Sequence, residues 1–242
     1  MTAAKTSLKA ARQATGVTMK LIWALAMAIM TSTTLVAAVG AQTQAGAQKT
    51  DTTPRGAEIV AHGTSAGAVA CARCHGFDGL SDGSGAFPIL ANQSAAYLSK
   101  QLRDFASGTH LNAIMTPIAK ALTGEEIDAV AQYYATVRAT AVPPPARSPD
   151  LVTRGEALAT TGDTARQVLP CAACHGAQGV GVPPVTPYLA GQYAQYIMSQ
   201  MVMFNRGYRK NALMSTEARK LDEGDYEALG AYFEGLPRPS AE

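Results

Sequence analysis

The feature that most constrains this chain is a short run of two cysteines and a histidine, Cys71-Ala-Arg-Cys-His75, which occurs again as Cys171-Ala-Ala-Cys-His175. On a helix, residues three and four positions apart share a face, so the two thiols and the imidazole of each run point at the same object. This spacing is the attachment signature of a c-type haem, whose vinyl groups bond the sulfurs while the histidine reaches the iron. The sequence therefore predicts two covalently attached haem c groups, bonded by Cys71, Cys74, Cys171 and Cys174, with His75 and His175 as iron ligands.

Two other uses of paired cysteines compete with this interpretation. Four thiolates can hold a structural zinc ion, and a Cys-x-x-Cys run can act as a redox dithiol. Zinc-binding pairs are usually separated by a short loop, whereas 96 residues separate Cys74 from Cys171, and a histidine directly follows both runs. All four cysteines lie in the two runs, which leaves none for disulfide bonds. We therefore favour haem attachment.

The chain is a tandem duplication. Beyond the two runs, identical residues recur at an offset of 99 positions through the rest of both copies. Such agreement in a single register is hard to ascribe to composition. The matched positions are Pro88, Leu90, Ala91, Gln93, Ala95, Tyr97, Gln101, Phe105, Gly108, Met115, Ala119, Leu122, Ala129 and Tyr133 in the first copy, and Pro187, Leu189, Ala190, Gln192, Ala194, Tyr196, Gln200, Phe204, Gly207, Met214, Ala218, Leu221, Ala228 and Tyr232 in the second.

Residues 1–41 are typical of an export signal. They contain four basic and no acidic side chains, an apolar run, and a small-residue stretch, Val39-Gly-Ala41, that suits cleavage. An uncleaved anchor is the alternative, but polar residues from Thr31 to Thr34 interrupt the apolar run before the ~20 residues that a membrane span needs. Cleavage would change the formal net charge from +2 to −2, which argues against nucleic-acid binding. We expect a periplasmic protein, soluble or loosely associated with a membrane.

The domain organisation follows from the repeat and from two segments of unusual composition. Residues 42–54 are small and polar and are predicted to form a flexible tail. The proline-rich segment 141–150 is predicted to be a stiff spacer between a first domain, 55–140, and a second domain, 151–242. Since no strand pattern stands out, the predicted fold class is all-α, with helices over 93–106, 124–137, 192–205 and 223–234 and glycine-rich loops over 76–85 and 176–181.

An iron bound by one histidine needs a second axial ligand, and the duplication narrows the candidates. Met115 follows His75 by 40 residues, and its repeat partner Met214 follows His175 by 39 residues. A thioether suits an iron that changes charge without binding substrate, because sulfur favours the ferrous state. Met115, which is predicted to lie in a loop before a helix, and its repeat partner Met214 are therefore the expected sixth ligands.

The rival ligands and the other methionines lack this repeat. His62 and His110 have no histidine at their repeat positions, which hold Thr161 and Arg209. Bis-histidine ligation is therefore excluded within the second domain and disfavoured in the first. Three further methionines at helical spacing are expected to be core residues, namely Met198, Met201 and Met203.

These motifs resemble the class I cytochromes c, and the paired domains resemble the diheme cytochrome c4 family of the bacterial periplasm. The resemblance covers residues 55–138 and 154–236. It implies two tandem class I cytochrome c domains, each a small helical fold around one covalent haem c, with the haems near each other across an interface. The sequences that carry it, besides the two Cys-x-x-Cys-His-Gly runs, are Phe87-Pro-Ile-Leu-Ala-Asn-Gln93, Thr186-Pro-Tyr-Leu-Ala-Gly-Gln192 and Met115-Thr-Pro-Ile-Ala119.

The resemblance also implies roles for two matched pairs of residues. Pro88 and Pro187 are expected to offer their backbone carbonyls to the proximal histidines and so fix the orientation of the imidazoles. Gly56 and Gly155 are expected to let the first helix of each domain cross the last one closely.

Two positions depart from the pattern. Asn92 stands where the second copy has glycine, which is a mild change because asparagine tolerates left-handed backbone. Glu217 stands opposite Ile118, and a buried unpaired carboxylate would be costly. We therefore expect Glu217 to face solvent or to pair with Arg219 or Lys220.

The resemblance implies single-electron transfer between respiratory partners, without catalysis. The expected donor is a quinol-oxidising complex, and the expected acceptor is a terminal oxidase or another reductase. One alternative is a bound cytochrome subunit of a periplasmic dehydrogenase. Another is a diheme peroxidase, which would need one iron with an open or displaceable ligand. A basic cluster before Met214 could dock an acidic partner, although such a group is more often a solvated loop, and it consists of Arg206, Arg209 and Lys210.

Overall fold

The computed structural model describes residues 53–139, 143–184 and 186–239. The predicted signal segment, 1–41, and most of the predicted tail lie outside these residues. The first described helix begins at Thr53, inside the range predicted as tail.

Both copies have the same order of helices, and the described residues contain isolated β-bridges but no strands. The all-α prediction is therefore confirmed. In each copy a first helix, a one-turn helix bearing the haem motif, a long helix, a short helix and a last helix follow one another. The first copy contains α1 (Thr53–His62), α2 (Ala72–His75), α3 (Ala95–Ser107), α4 (Met115–Lys120) and α5 (Gly124–Thr136), and the second contains α6 (Pro149–Thr160), α7 (Ala172–His175), a 3₁₀ turn (Ala177–Gly179), α8 (Ala194–Arg206), α9 (Ala212–Ala218) and α10 (Glu223–Glu234).

The first and last helices of each copy cross at a glycine. A Cβ atom placed on Gly56 would lie 2.2 Å from the carbonyl oxygen of Ala129 in α5. On Gly155 it would lie 2.0 Å from the carbonyl oxygen of Ala228 in α10. The close crossing implied by the resemblance is therefore present in both domains, because only a residue without a side chain fits there.

The last helix of the second domain is anchored by a buried carboxylate. Asp225 is fully buried, and it accepts hydrogen bonds from Arg154 Nη2 at 2.6 Å and from Arg166 Nη1 at 2.5 Å. It also completes a capping box with Asp222 at the start of α10. At the matched place in the first domain, Glu126 pairs with the single arginine Arg55 at 2.7 Å.

Asp225→Asn is expected to lower the free energy of unfolding by about 1–3 kcal/mol, because the two arginines lose a charged acceptor. Burial raises the pKa of Asp225, but hydrogen bonds from Arg166, from the backbone N–H of Asp222 and from Arg154 together hold this pKa below its ordinary value. This contribution is therefore full above the unfolded-state pKa of ~3.9 and is lost as the pH falls through and below it. Urea unfolding at pH 7 and pH 3 measures both effects. Glu126→Gln is the control, since Glu126 has one arginine partner and a smaller loss is expected; an equal loss would contradict the argument.

The two copies contact each other through two glutamines, and the side chain of each one hydrogen-bonds the backbone of the opposite copy. Gln93 bonds the backbone N–H and C=O of Tyr188 at 3.1 and 3.0 Å. Its repeat partner Gln192 bonds the same two groups of Ile89 at 2.9 and 3.0 Å. Because Ile89 and Tyr188 are themselves repeat partners, the junction has the reciprocity of a two-fold interface.

The segment between the domains is short and partly tied down. Residues 143–148 are exposed and carry no helix, whereas α6 begins at Pro149, inside the range predicted as spacer. Proline at the first position of a helix is favourable because that position has no use for an N–H group. Arg147 donates to the carboxylate of Glu234 at 2.6 and 2.9 Å, so the end of the spacer is fixed to the last helix.

Candidate haem sites

Each Cys-x-x-Cys-His run forms a single helical turn. The N–H of His75 donates to the carbonyl of Cys71 at 3.0 Å, and the N–H of His175 donates to that of Cys171 at 2.9 Å. The four cysteines are half-buried and carry free thiols, and both imidazoles are buried. Two thiols and one imidazole therefore share one turn in each domain, as the spacing predicts.

A backbone carbonyl lies beside each imidazole. His75 Nδ1 lies 3.4 Å from the carbonyl oxygen of Pro88, and His175 Nδ1 lies 3.2 Å from that of Pro187. A proton on Nδ1 can be donated to that oxygen, which leaves Nε2 as the nitrogen able to bind iron. Burial lowers the pKa of both imidazoles, so they are held in the neutral form that ligates a metal.

Glycine-containing loops place these carbonyls. The N–H of Leu90 donates to the carbonyl of Gly79 at 2.8 Å, and Leu189 donates to Gly179 at the same distance. These hydrogen bonds join the loop after each motif to the residue two positions after Pro88 or Pro187, and so hold the proline carbonyl near the histidine. In the first domain the hydroxyl of Tyr134 donates to the carbonyl of Gly76 at 2.9 Å, which fixes the end of the motif to α5.

The two candidate methionines lie on short helices. Met115 is the first residue of α4, and Met214 lies in the first turn of α9. The loop predicted around Met115 is therefore wrong, because α4 already begins at this residue. Both side chains are half-buried, and Met214 packs against the core of its domain.

An asparagine fixes the backbone of each methionine. Asn112 Oδ1 accepts from the N–H of Met115 at 2.8 Å, and Asn211 Oδ1 accepts from the N–H of Met214 at 3.0 Å. These two residues were not predicted as site residues, although they are identical at the same offset of 99 positions. Asn211 is the N-cap residue of α9, the position from which a side-chain oxygen accepts from the first turn, whereas Asn112 lies two residues before Ile114, the N-cap of α4.

The rival histidines are placed elsewhere. His62 is exposed at the end of α1. His110 is buried, stacks on Phe105 with ring centroids 4.0 Å apart, and has Nδ1 3.3 Å from Gln101 Oε1. Burial lowers the pKa of His110 to about 3, so this imidazole is uncharged at neutral pH.

The surroundings of both donor sets suit an apolar macrocycle. Val69 and Leu169, two residues before each motif, are 42% and 50% exposed. Ile114 and Leu213, directly before each methionine, are 55% and 48% exposed. Exposed apolar side chains at matched places in both copies, together with thiol, imidazole and thioether donors, fit a covalently bound porphyrin.

The two departures from the repeat are accommodated. Asn92 has φ 56°, so it occupies the left-handed region as expected. Glu217 accepts from Lys220 Nζ at 2.7 Å, which confirms the expected pairing. The second oxygen of Glu217 accepts from the N–H of Leu169 at 3.0 Å, so this carboxylate also ties α9 to the segment before the second motif.

Comparison with known proteins points to one group. A family model described as cytochrome c matches residues 55–138. The thiosulfate dehydrogenase electron acceptor of Stutzerimonas stutzeri is 43% identical over 174 residues, covering 71% of this chain and 81% of that protein. Cytochrome c4 of Pseudomonas aeruginosa is 35% identical over 174 residues, covering 70% of this chain and 85% of that protein.

Solved structures agree with these relatives. Reduced recombinant cytochrome c4 from Pseudomonas stutzeri superposes with a TM-score of 0.67 and 31% identity, covering 76% of this chain and 98% of that one. The thiosulfate dehydrogenase TsdBA of Marichromatium purpuratum superposes with a TM-score of 0.70 and 39% identity over 76% of this chain. The present chain spans 40% of the length of that larger chain.

The fold and the two donor sets define a diheme c-type cytochrome that transfers electrons and carries two covalently attached haem c groups. The identities and coverages make the family plain. The chain belongs to the cytochrome c4 family. Over 53–139, 143–184 and 186–239, every helix is too short or too polar to cross a membrane.

Proposed function

We propose that His75 with Met115, and His175 with Met214, are the axial ligands of the two irons, and that the chain is an electron carrier rather than an enzyme. The support is the match between the copies, in which each methionine is held by an asparagine and each histidine by a proline carbonyl. When bound, the haem iron supplies a one-electron couple. Two protein ligands leave no coordination position for peroxide, which disfavours the peroxidase alternative.

The protein supports electron transfer by holding the proposed iron ligands in fixed positions. The carbonyl of Pro88 fixes the imidazole of His75, and the side chain of Asn112 fixes the backbone of Met115. Ligands that do not move when the charge of the iron changes keep the reorganisation energy of electron transfer small. The second domain repeats both contacts, so both centres are built for fast transfer.

The proposed electron donor is a thiosulfate dehydrogenase. A protein named as the electron acceptor of that enzyme is 43% identical to this chain, and a second so named, from Thiomonas intermedia, is 34% identical over 173 residues. The TsdBA chain from Marichromatium purpuratum, which is longer than this one, contains a region 39% identical to it. This donor replaces the quinol-oxidising complex expected from the resemblance, and a terminal oxidase stays the proposed acceptor.

Stopped-flow mixing tests the donor. The oxidised holoprotein is mixed with a purified thiosulfate dehydrogenase and thiosulfate, and the absorbance of the reduced haems is followed. We expect reduction of both haems within the turnover time of the enzyme and none without thiosulfate. Faster reduction by a quinol-oxidising complex than by the dehydrogenase would overturn this choice. Co-elution with the dehydrogenase on gel filtration would favour the bound-subunit alternative.

The proposed location is the periplasm, reached through export by residues 1–41. Haem staining and N-terminal sequencing of the protein from periplasmic and membrane fractions test this. A mature chain that begins at Gln42 in the periplasmic fraction is expected. A haem-stained chain that retains residues 1–41 in the membrane fraction would show anchoring instead.

A further inference from the structure

The chain beyond α10 passes from the second domain to the first. Leu236 packs against the core of the second domain, and its N–H donates to the carbonyl of Phe233 at 3.2 Å. Two residues later, Nη2 of Arg238 donates to the carbonyl of Ala91 in the first domain. Residues 236–239, called the strap below, therefore contact both domains.

An asparagine of the first domain holds the far end of the strap. Asn92 Nδ2 donates to the carbonyl of Pro239 at 2.6 Å. The backbone of Asn92 has φ 56°, and its N–H donates to the carbonyl of Tyr134 at 2.9 Å. Asparagine tolerates this left-handed conformation and also carries an amide that can donate. Asn92 therefore combines a backbone that favours glycine with a hydrogen bond that glycine could not make.

The repeat partner of Asn92 makes room for the strap. Gly191 has φ 68°, and its N–H donates to the carbonyl of Phe233 at 2.7 Å, so its backbone matches that of Asn92. A Cβ atom placed on Gly191 would overlap Cγ of Arg238, so a side chain here would displace the strap. The two positions are alike in backbone, but one holds the strap and the other lets it pass.

The strap lies on the glutamines that join the domains. Arg238 and Pro239 line a small cavity together with Gln93 and Gln192. The volume of this cavity is about 10 Å³, which is room for no more than about one water molecule. The strap therefore packs closely on the junction.

The junction is continuous with both candidate haem sites. Ile89 and Tyr188, whose N–H groups donate to the two glutamines, directly follow Pro88 and Pro187. The carbonyls of these prolines lie beside the proximal imidazoles. A closed junction therefore fixes the two proline-containing segments relative to each other.

A second set of contacts between the domains does not involve the strap. The backbones of His110 and Arg209 form an antiparallel bridge. Arg209 is 8% exposed, which corrects the expectation of an exposed basic cluster, and it donates to the hydroxyl of Tyr97 and to Gln101 Oε1, both at 2.7 Å. Loss of the strap should therefore loosen the junction without separating the domains permanently.

We propose that residues 236–239 form a strap that holds the two domains in one arrangement, and that Asn92 and Gly191 determine its path. The strap is anchored in the second domain, so its hydrogen bonds to Ala91 and Asn92 must break when the junction opens. It therefore lowers the fraction of molecules in which the junction is open. The proposal rests on the junction contacts alone and holds whatever the axial ligands and the electron donor are.

Hydrogen exchange of the holoprotein, followed by NMR, tests the strap. The N–H groups of Ile89 and Tyr188 donate across the junction, so their exchange reports its opening. In the double variant Asn92→Gly with Arg238→Ala, we expect exchange at both amides to become about tenfold faster or more, because two hydrogen bonds of ordinary strength are lost. The amide of Val130 lies within α5 of the first domain and should keep its exchange rate.

Gly191→Asn tests the path of the strap and leaves the strap's own residues intact. The first domain shows that asparagine adopts this backbone, so the second domain should stay folded. The new side chain would occupy the place of Arg238 and displace the strap. We expect the same faster exchange at Ile89 and Tyr188, with the amide of Leu229 in α10 unchanged.

The matched control is Arg206→Ala, which removes an exposed arginine of the same domain and should leave exchange at the junction amides unchanged. Unchanged exchange at Ile89 and Tyr188 in the double variant or in Gly191→Asn would overturn the proposal. Equal acceleration at Val130 and Leu229 would also overturn it, because it would mean a loss of overall stability. The same holds for an effect of Arg206→Ala as large as that of the double variant.

Discussion

Met214→Ala is expected to convert the second haem from a low-spin to a high-spin ferric centre and to lower its reduction potential by on the order of 0.1 V or more, within the ~0.8 V that axial ligands span. The thioether stabilises the ferrous iron, and an alanine leaves that position to water. The half-buried side chain packs on the core of its domain, and its backbone is fixed by Asn211, so the rest of α9 should persist. Magnetic circular dichroism and redox titration measure the two changes.

Met115→Ala should do the same to the first haem and leave the second unchanged, since each domain supplies its own candidate ligands. The control is Met201→Ala, which removes a buried methionine of the second-domain core. That variant should lose about 2–5 kcal/mol of stability and keep both low-spin spectra. A low-spin spectrum with unchanged potential in Met214→Ala would contradict the assignment of this ligand. Peroxide turnover by the wild-type protein would contradict the assignment of a pure carrier.

Gly155→Ala is expected to unfold the second domain or to destabilise it by about 3 kcal/mol or more, because the new methyl group would clash with the backbone of α10. Its position would lie 2.0 Å from a backbone oxygen of α10, which no side-chain rotation can relieve. The two helices would have to separate, and the core between them would lose contact. Gly56→Ala should affect the first domain in the same way. Thermal unfolding followed by circular dichroism, with haem content measured by absorbance, gives the loss.

Gly124→Ala is the matched control within the first domain. This glycine opens α5, and a Cβ atom placed on it would meet nothing within 4 Å. The substitution should therefore change stability by less than about 1 kcal/mol, in the stabilising direction, since alanine favours a helix. Equal losses in Gly56→Ala and Gly124→Ala would mean that the close crossing is not what the first glycine provides.

The local features of this protein could be predicted from the sequence because they depend on short-range geometry. The turn from Cys71 to His75 follows from the spacing of three residues, and the helix that begins at Gly124 follows from its acidic start and apolar period. The repeat added longer-range information, since two copies that fold alike must place Met115 and Met214 alike. The asparagines before the methionines repeat at the same offset of 99 positions, so a comparison of the two copies also points to them.

The sequence by itself determined the two haem motifs, the all-α class and the duplication. Only the tertiary structure decided that Arg209 is buried. It also decided that Gln93 and Gln192 each hydrogen-bond the backbone of the opposite domain, and that Glu217 accepts from the N–H of Leu169. The physical reason is distance along the chain: these contacts join segments about 50 to 110 residues apart. Whether such a side chain is solvated or buried depends on how whole helices pack, which no local pattern of residues specifies.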